Sequence, residues 1–164
     1  MATWVLVGHG APPKDVPGEM VSRLKSLEGR RRATRSAMTE EERSLDAKLR
    51  AWPRTAETDP YREGVLALAA ALRKKLPIAT ELVVAFNEFC GPSLEEAVSA
   101  RVAAGEDDVT VVPTMLTPGG VHSEVEIPEA IESLRAAHPN VRVRYLWPFD
   151  LDLLAELLVR HSQT

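Results

Sequence analysis

A single cysteine, Cys90, among 164 residues excludes an internal disulfide framework and a zinc site built from thiolates. No apolar run approaches the roughly 18 residues that span a bilayer. The N-terminal MATWVLVGHG has no basic region, and its apolar stretch is too short for a signal peptide, so a soluble cytoplasmic protein is expected. Basic excess is also missing. A formal net charge of −4 weighs against a general nucleic-acid binder. There is no internal repeat and no low-complexity tract. Two common motifs fail as well. Gly8-His9-Gly10 lacks the third glycine of a dinucleotide fingerprint and runs into Pro12-Pro13, and no G-x-S-x-G elbow occurs. What remains is a chain of one-domain length, 45% hydrophobic and 27% charged, which is long enough to bury a sizeable core.

The patterning is that of an α/β domain. Thr3-Trp4-Val5-Leu6-Val7 is a continuous apolar run, as in a strand covered on both faces. Glu81–Phe86 and Val109–Val112 read as further strands. Val141, Val143 and Tyr145 alternate with Arg142 and Arg144, which suits a sheet edge. Between the strands, Asp59-Pro60 and the Ser93–Glu96 capping box start helices, Pro128 starts another, and Asp150 leads a last one bearing Leu151, Leu154 and Leu158. Alternating strands and helices predict right-handed crossovers and a three-layer, four-stranded, mainly parallel sheet. Residues 14–58 differ in character. They hold 11 Arg and Lys against 8 Asp and Glu, a net +3 where the rest of the chain carries −7. Two helices are expected there: one marked by Val16, Met20, Leu24 and Leu27, the other opening at a Thr39–Glu42 capping box and carrying Leu45, Leu49 and Trp52. The chain reads as a single domain, 1–164, with 14–58 as a helical insertion after the first strand.

A parallel sheet gathers the C-terminal ends of its strands on one edge, where ligands bind. His9, Glu88 and His122 fall just past strands one, two and three. Two imidazoles with a carboxylate suit a borderline divalent metal such as cobalt, nickel, iron or zinc. A histidine after a strand also serves simple structural hydrogen bonding, and the residues alone leave both readings open. Glu124 and Glu126 equally suit the first turn of a helix. His138, before Pro139 at a helix end, suits the macrodipole, His161 lies in a polar tail, and Cys90 has no evident base beside it.

Taken together, Leu6-Val7-Gly8-His9-Gly10, Phe86-x-Glu88, Pro92-Ser93-Leu94-Glu95-Glu96-Ala97, and Val111-Val112-Pro113 followed by Leu116, Gly119-Gly120 and His122 resemble the short-form sirohydrochlorin chelatases. These are the cobaltochelatase/ferrochelatase family of ATP-independent, class II enzymes. The spacing from His122 to Glu126-Ile127-Pro128 resembles the family's histidine followed by Asp-Ile-Pro, with Glu in place of Asp. The resemblance covers residues 3–10 and about 60–158. It implies a lyase inserting Co²⁺ or Fe²⁺, with Ni²⁺ also compatible, into sirohydrochlorin or a related tetrapyrrole in cobalamin or siroheme biosynthesis. His9 and His122 would be the metal pair and Glu88 an active-site carboxylate, all three catalytic. The metal would be a substrate, no organic cofactor is implied, and a homodimer is expected, without nucleic acid or membrane as partners. A polycarboxylate substrate would need cationic docking, for which Arg30-Arg31-Arg32 and Arg35 are candidates, and apolar walls, for which Met115, Leu116 and Val121 are candidates. A non-catalytic metal or tetrapyrrole carrier that kept the histidines would read the same way. So would a regulatory protein using the arginine-rich hairpin.

Overall fold

Strands β1 (Ala2–Gly8), β2 (Thr80–Phe86), β3 (Asp108–Pro113) and β4 (Arg142–Tyr145) pair in the order β2-β1-β3-β4. Every pairing is parallel, in a computed structural model whose described residues are 2–163. Because successive side chains of a strand point to opposite faces, the apolar runs of β1 and β3 feed two cores. On one face Val5, Val7, Val109 and Val111 pack with Val98 of α4 (Leu94–Ala103) and Ile127, Ile131 and Leu134 of α5 (Ile127–Ala137). On the other, Leu6, Leu82, Phe86 and Val112 pack with Val65 and Ala69 of α3 (Pro60–Arg73). This is the expected three-layer arrangement, with β4 at the edge and the sheet parallel throughout. No helix among the described residues is long and apolar enough to cross a membrane.

Helix starts follow local chemistry. Asp59 accepts from the Arg62 backbone N–H at 2.9 Å, and Ser93 and Glu96 form a complete reciprocal capping box. At α2 (Glu40–Arg50) the box is only half made. Thr39 accepts from the Glu42 N–H at 3.2 Å, but the Glu42 carboxylate is buried and turned to Arg31, 2.7 Å away. An opposing guanidinium outcompetes the cap.

The segment between β1 and α3 forms α1 (Gly18–Thr34) and α2. Val16, Leu24 and Leu49 build a third cluster with Phe89, flanked by Met20, Leu45 and Trp52. The hairpin is thereby seated on the loop after β2. Two of its arginines fasten that loop through backbone carbonyls. Arg50 donates to Phe86 (3.2 Å), Asn87 (2.8 Å) and Cys90 (2.8 Å), and Arg54 donates to Phe89. Arg54 also pairs with Asp59 at 2.8 Å, both side chains being almost wholly buried. These carbonyls bend out of the sheet and would otherwise be left without partners away from water.

The last helix, α6 (Leu151–His161), is capped by Asp150. It forms where Asp150 was read as a helix start, yet none of its residues is buried. Leu151, Leu153, Leu157 and Leu158 are each more than half exposed.

The edge carrying the site is set by backbone contacts beyond the strand ends. Asn87 N–H donates to Gly8 O and Glu88 N–H to His9 O, both at 2.9 Å, so the β1–β2 ladder continues into the two loops. Gly10 sits at φ +92°, and a Cβ there would lie 1.8 Å from the Glu88 carbonyl oxygen. Gly10→Ala is expected to lower the unfolding free energy by more than about 1 kcal/mol, since alanine disfavours positive φ even without the clash. Urea denaturation checks it, and a wild-type midpoint would refute the close approach.

Candidate metal centre

The His9 backbone N–H donates to the Tyr61 hydroxyl at 2.9 Å, and its ring Nδ1 lies 2.7 Å from the Gly10 carbonyl. A carbonyl only accepts, so Nδ1 carries the proton and Nε2 keeps a free lone pair. Gly8-His9-Gly10 therefore both curls the chain and sets the tautomer.

His122 was expected in a loop ahead of a helix starting at Pro128. The chain is instead already helical at His122. A π-helical turn, His122–Glu126, runs directly into α5, closed by the Ile127 N–H on the His122 carbonyl. Pro128 has no N–H to direct at the residue four earlier, so the α-helical ladder fails here and a wider turn takes its place. The turn is pinned by Tyr145, whose hydroxyl donates to Ser123 O at 2.9 Å. Glu124 accepts from the Gly119 N–H at 2.7 Å, which makes it a loop brace.

Helical spacing brings Glu126 to His122, with Oε2 2.5 Å from Nδ1. The same oxygen lies 2.6 Å from the Asn87 amide nitrogen, so one carboxylate oxygen accepts from both side chains. His122 thus also holds its proton on Nδ1 and presents Nε2, which lies 3.1 Å from Glu88 Oε1. The two imidazoles meet edge-on, with centroids 4.4 Å apart and planes at 86°. Ligand atoms of His9, Glu88 and His122 all fall within 4.8 Å of one another, the one such trio among the described residues. Three converging N/O donors, two of them imidazoles oriented by carbonyl and carboxylate partners, have the composition and outer support of a divalent-metal site. Burial pushes the His122 imidazole below its ordinary pKa. Glu88 opposes that shift, while the His9, Lys25 and Arg32 charges add to it. The neutral, coordinating form is the one favoured at neutral pH.

The structure adds partners to the trio. Lys25 of α1 pairs with Glu88, and Arg32 one face along pairs with Glu126. Nothing in the sequence pointed to Lys25 or Tyr61. Asn87 was legible only as the neighbour of Glu88, and its amide becomes relevant once the π-turn places Glu126 beside it. Beyond the carboxylates a cavity of about 720 Å³ opens between α1, α4 and α5. Arg31, Arg32, Arg35, Met38, Val121 and Val125 line it together with Glu88 and Glu126, but neither imidazole is among its walls. Of the apolar residues expected to face a ligand, Val121 does so, whereas Met115 packs against the core and Leu116 is exposed outside the cavity lining. Arg30 is likewise absent from that lining. His138 lies 3.3 Å from the Ser99 hydroxyl at the end of α5, and burial raises the Cys90 thiol pKa, so neither belongs to the centre.

The fold is shared with solved structures. A protein from Marinobacter aquaeolei VT8 designated CbiX and assigned to cobalamin biosynthesis superposes with a TM-score of 0.56 at 19% identity, over 99% of this chain and 98% of its own. The sirohydrochlorin chelatase SirB of Bacillus subtilis subspecies spizizenii, solved with cobalt, gives 0.52 at 19% identity, and the match spans 51% of its chain. In sequence, 60 residues are 40% identical to a sirohydrochlorin cobaltochelatase of Priestia megaterium, covering 37% of this chain and 19% of that protein. Another 32% identity over 72 residues links it to the sirohydrochlorin cobaltochelatase of Methanopyrus kandleri, covering 44% of this chain and 50% of that one. The aligned stretches thus reach at most half of these curated relatives' length. The family model described as CbiX matches residues 54–163, from the buried Arg54 through Glu88 and His122 into the last helix, and the chain belongs to the CbiX family.

Proposed function

We propose that this protein inserts a divalent metal, Co²⁺ or Fe²⁺, into sirohydrochlorin or a closely related tetrapyrrole, with the metal as a substrate and not as a resident cofactor. The observation that carries this reading is the convergence of His9, Glu88 and His122, with both Nδ1 atoms engaged and His122 Nε2 facing Glu88 Oε1 at 3.1 Å. Such a set can hold a partly desolvated ion, and neutral imidazoles release it more readily than thiolates would. Insertion also removes two pyrrole protons. Glu88, a carboxylate within 3.1 Å of His122 Nε2, is placed to accept one of them, and a histidine freed of the ion can accept the other. The adjoining cavity of about 720 Å³ has apolar walls at Met38, Val121 and Val125 for a flat macrocycle. Its arginines supply positive charge for acidic side groups. Arg35 lines it and makes no ion pair among the described residues, whereas Arg31 is committed to Glu42. The Co²⁺ and Fe²⁺ assignment is supported by the names of the related cobalto- and ferrochelatases. A cytoplasmic location is part of the same proposal, as cobalamin or siroheme precursors are made there.

Mixing the protein with sirohydrochlorin and Co²⁺ and following the absorbance change tests the reaction. The expected result is a rate well above the spontaneous one, abolished in a His9→Ala, His122→Ala double variant. Glu126→Gln, which keeps the shape but weakens the support of His122, is expected to bind Co²⁺ about 10- to 100-fold more weakly. Stoichiometric binding without acceleration would favour a carrier instead.

We further propose that the chain works as a homodimer. The support is α6, an apolar helix with no buried residue, on a chain that spans about half of the SirB chain. Leucines this exposed on a folded chain mark an interaction surface. Sedimentation is expected to report twice 18.0 kDa for the wild type. A Leu153→Glu, Leu157→Glu variant should give a folded monomer, and a wild-type monomer at micromolar concentration would refute the pairing.

A further inference from the structure

Lys25 is the one cation placed directly on a carboxylate of the metal-binding trio, and it is held by three groups. Its ammonium pairs with Glu88 Oε2, lies 3.1 Å from Glu28 Oε2, and sits 4.7 Å over the Phe89 ring. Glu28 is three residues further along α1 and lines the cavity, whereas Glu88 is buried at the centre. Seven residues beyond Lys25, Arg32 of the same helix pairs with Glu126, the carboxylate that orients His122. Helix α1 is therefore fastened to the centre at two points, both through acidic groups that serve the histidines. Neither His9 nor His122 reaches the cavity wall, while Arg32 does.

We infer that α1 is a latch over the metal centre in which Lys25 stands in for the metal on Glu88 and, when a divalent cation arrives, gives up Glu88 while keeping Glu28. The inference rests on the metal-centre reading above and adds a competition to it. An ammonium and a divalent ion cannot share one carboxylate at contact distance without strong repulsion. The ion therefore gains Glu88 only as Lys25 leaves. Glu28 on the same helix and the Phe89 face already hold the ammonium, so the lysine loses one partner instead of entering water uncompensated. Loss of the Lys25–Glu88 contact also releases one of the two fastenings that close the cavity off from the imidazoles, which couples metal loading to macrocycle access.

The competition is read by calorimetric titration of Co²⁺ into the whole chain at constant pH. Lys25→Met is expected to bind Co²⁺ at least tenfold more tightly than wild type, and Glu28→Gln several-fold more weakly, because its lysine has lost the carboxylate it would keep. Equal or weaker binding by Lys25→Met overturns the latch. A second measurement needs no variant: labelling of Lys25 by an amine reagent, read by peptide mass spectrometry, should run several-fold faster with Co²⁺, and an unchanged rate overturns the release. Co²⁺ binding that disappears in the double histidine variant but ignores Lys25→Met would leave the metal centre standing and remove the latch. No Co²⁺ binding by wild type and Lys25→Met alike would remove both.

Discussion

The centre depends on a backbone approach before it depends on any ligand. Two hydrogen bonds, Asn87 to Gly8 and Glu88 to His9, carry the parallel ladder past the ends of β1 and β2. They lock a histidine on one loop against a carboxylate on the next, and the approach is so close that only a glycine fits at position 10. A donor set placed this way is rigid without metal, since neither loop can shift without breaking ladder bonds. What remains adjustable is the third donor, His122, which sits on a π-turn held by side chains: Tyr145 on its backbone and Glu126 on its ring, with Asn87 donating to that carboxylate. The centre thus joins a fixed half, His9 and Glu88, to a half whose orientation is set by hydrogen bonds.

The parallel sheet, its edge strand β4 and the place of His9, Glu88 and His122 past the strand ends were legible because they follow from short-range signals, whereas the order β2-β1-β3-β4 was not. Continuous apolar runs ended by glycine or proline mark buried parallel strands, and a parallel sheet leaves little choice about where their C-terminal ends lie. Features set by contacts distant in sequence were not legible. The Thr39–Glu42 pattern predicted a capping box, but Glu42 is drawn away by Arg31, a competition no local pattern encodes. The helical state of His122 was hidden because Gly119-Gly120 signals loop and Pro128 signals a helix start only six residues later, while the wide turn between them is stabilised from β4 by Tyr145. Lys25 meets Glu88 only through the fold, by way of the Leu24–Leu49–Phe89 cluster that seats α1 on the loop after β2.

That cluster gives the α1–α2 hairpin its two consequences. Its arginines, Arg50 and Arg54, hold the carbonyls of the loop that carries Asn87 and Glu88, so the hairpin braces the rigid half of the centre from behind. From the same seat α1 reaches over the front with Lys25 and Arg32. Bracing and covering are physically separable. The first uses buried carbonyl hydrogen bonds around an ion pair that is itself buried, Arg54–Asp59, whereas the second uses cations that are about two-fifths exposed. Contacts of the second kind are weakened by water and salt and can open while the buried brace stays closed.

Charge balance explains why such a cover suits this chemistry. At rest, Glu88 and Glu126 contribute two negative charges and Lys25 and Arg32 two positive ones, with His122 favoured in its neutral form by burial. A divalent cation carries the same total charge as the two side chains it would face. Its arrival as Lys25 leaves Glu88 raises the charge of the site by one and not by two, and a buried site tolerates the smaller gain better. In the proposed reaction the ion would pass to the macrocycle as two pyrrole protons come the other way, and the carboxylates could again be compensated by those protons or by Lys25 and Arg32. Each state of the proposed cycle then keeps the buried acids paired. That requirement, more than the identity of the metal, accounts for why two acidic side chains stand behind a pair of histidines.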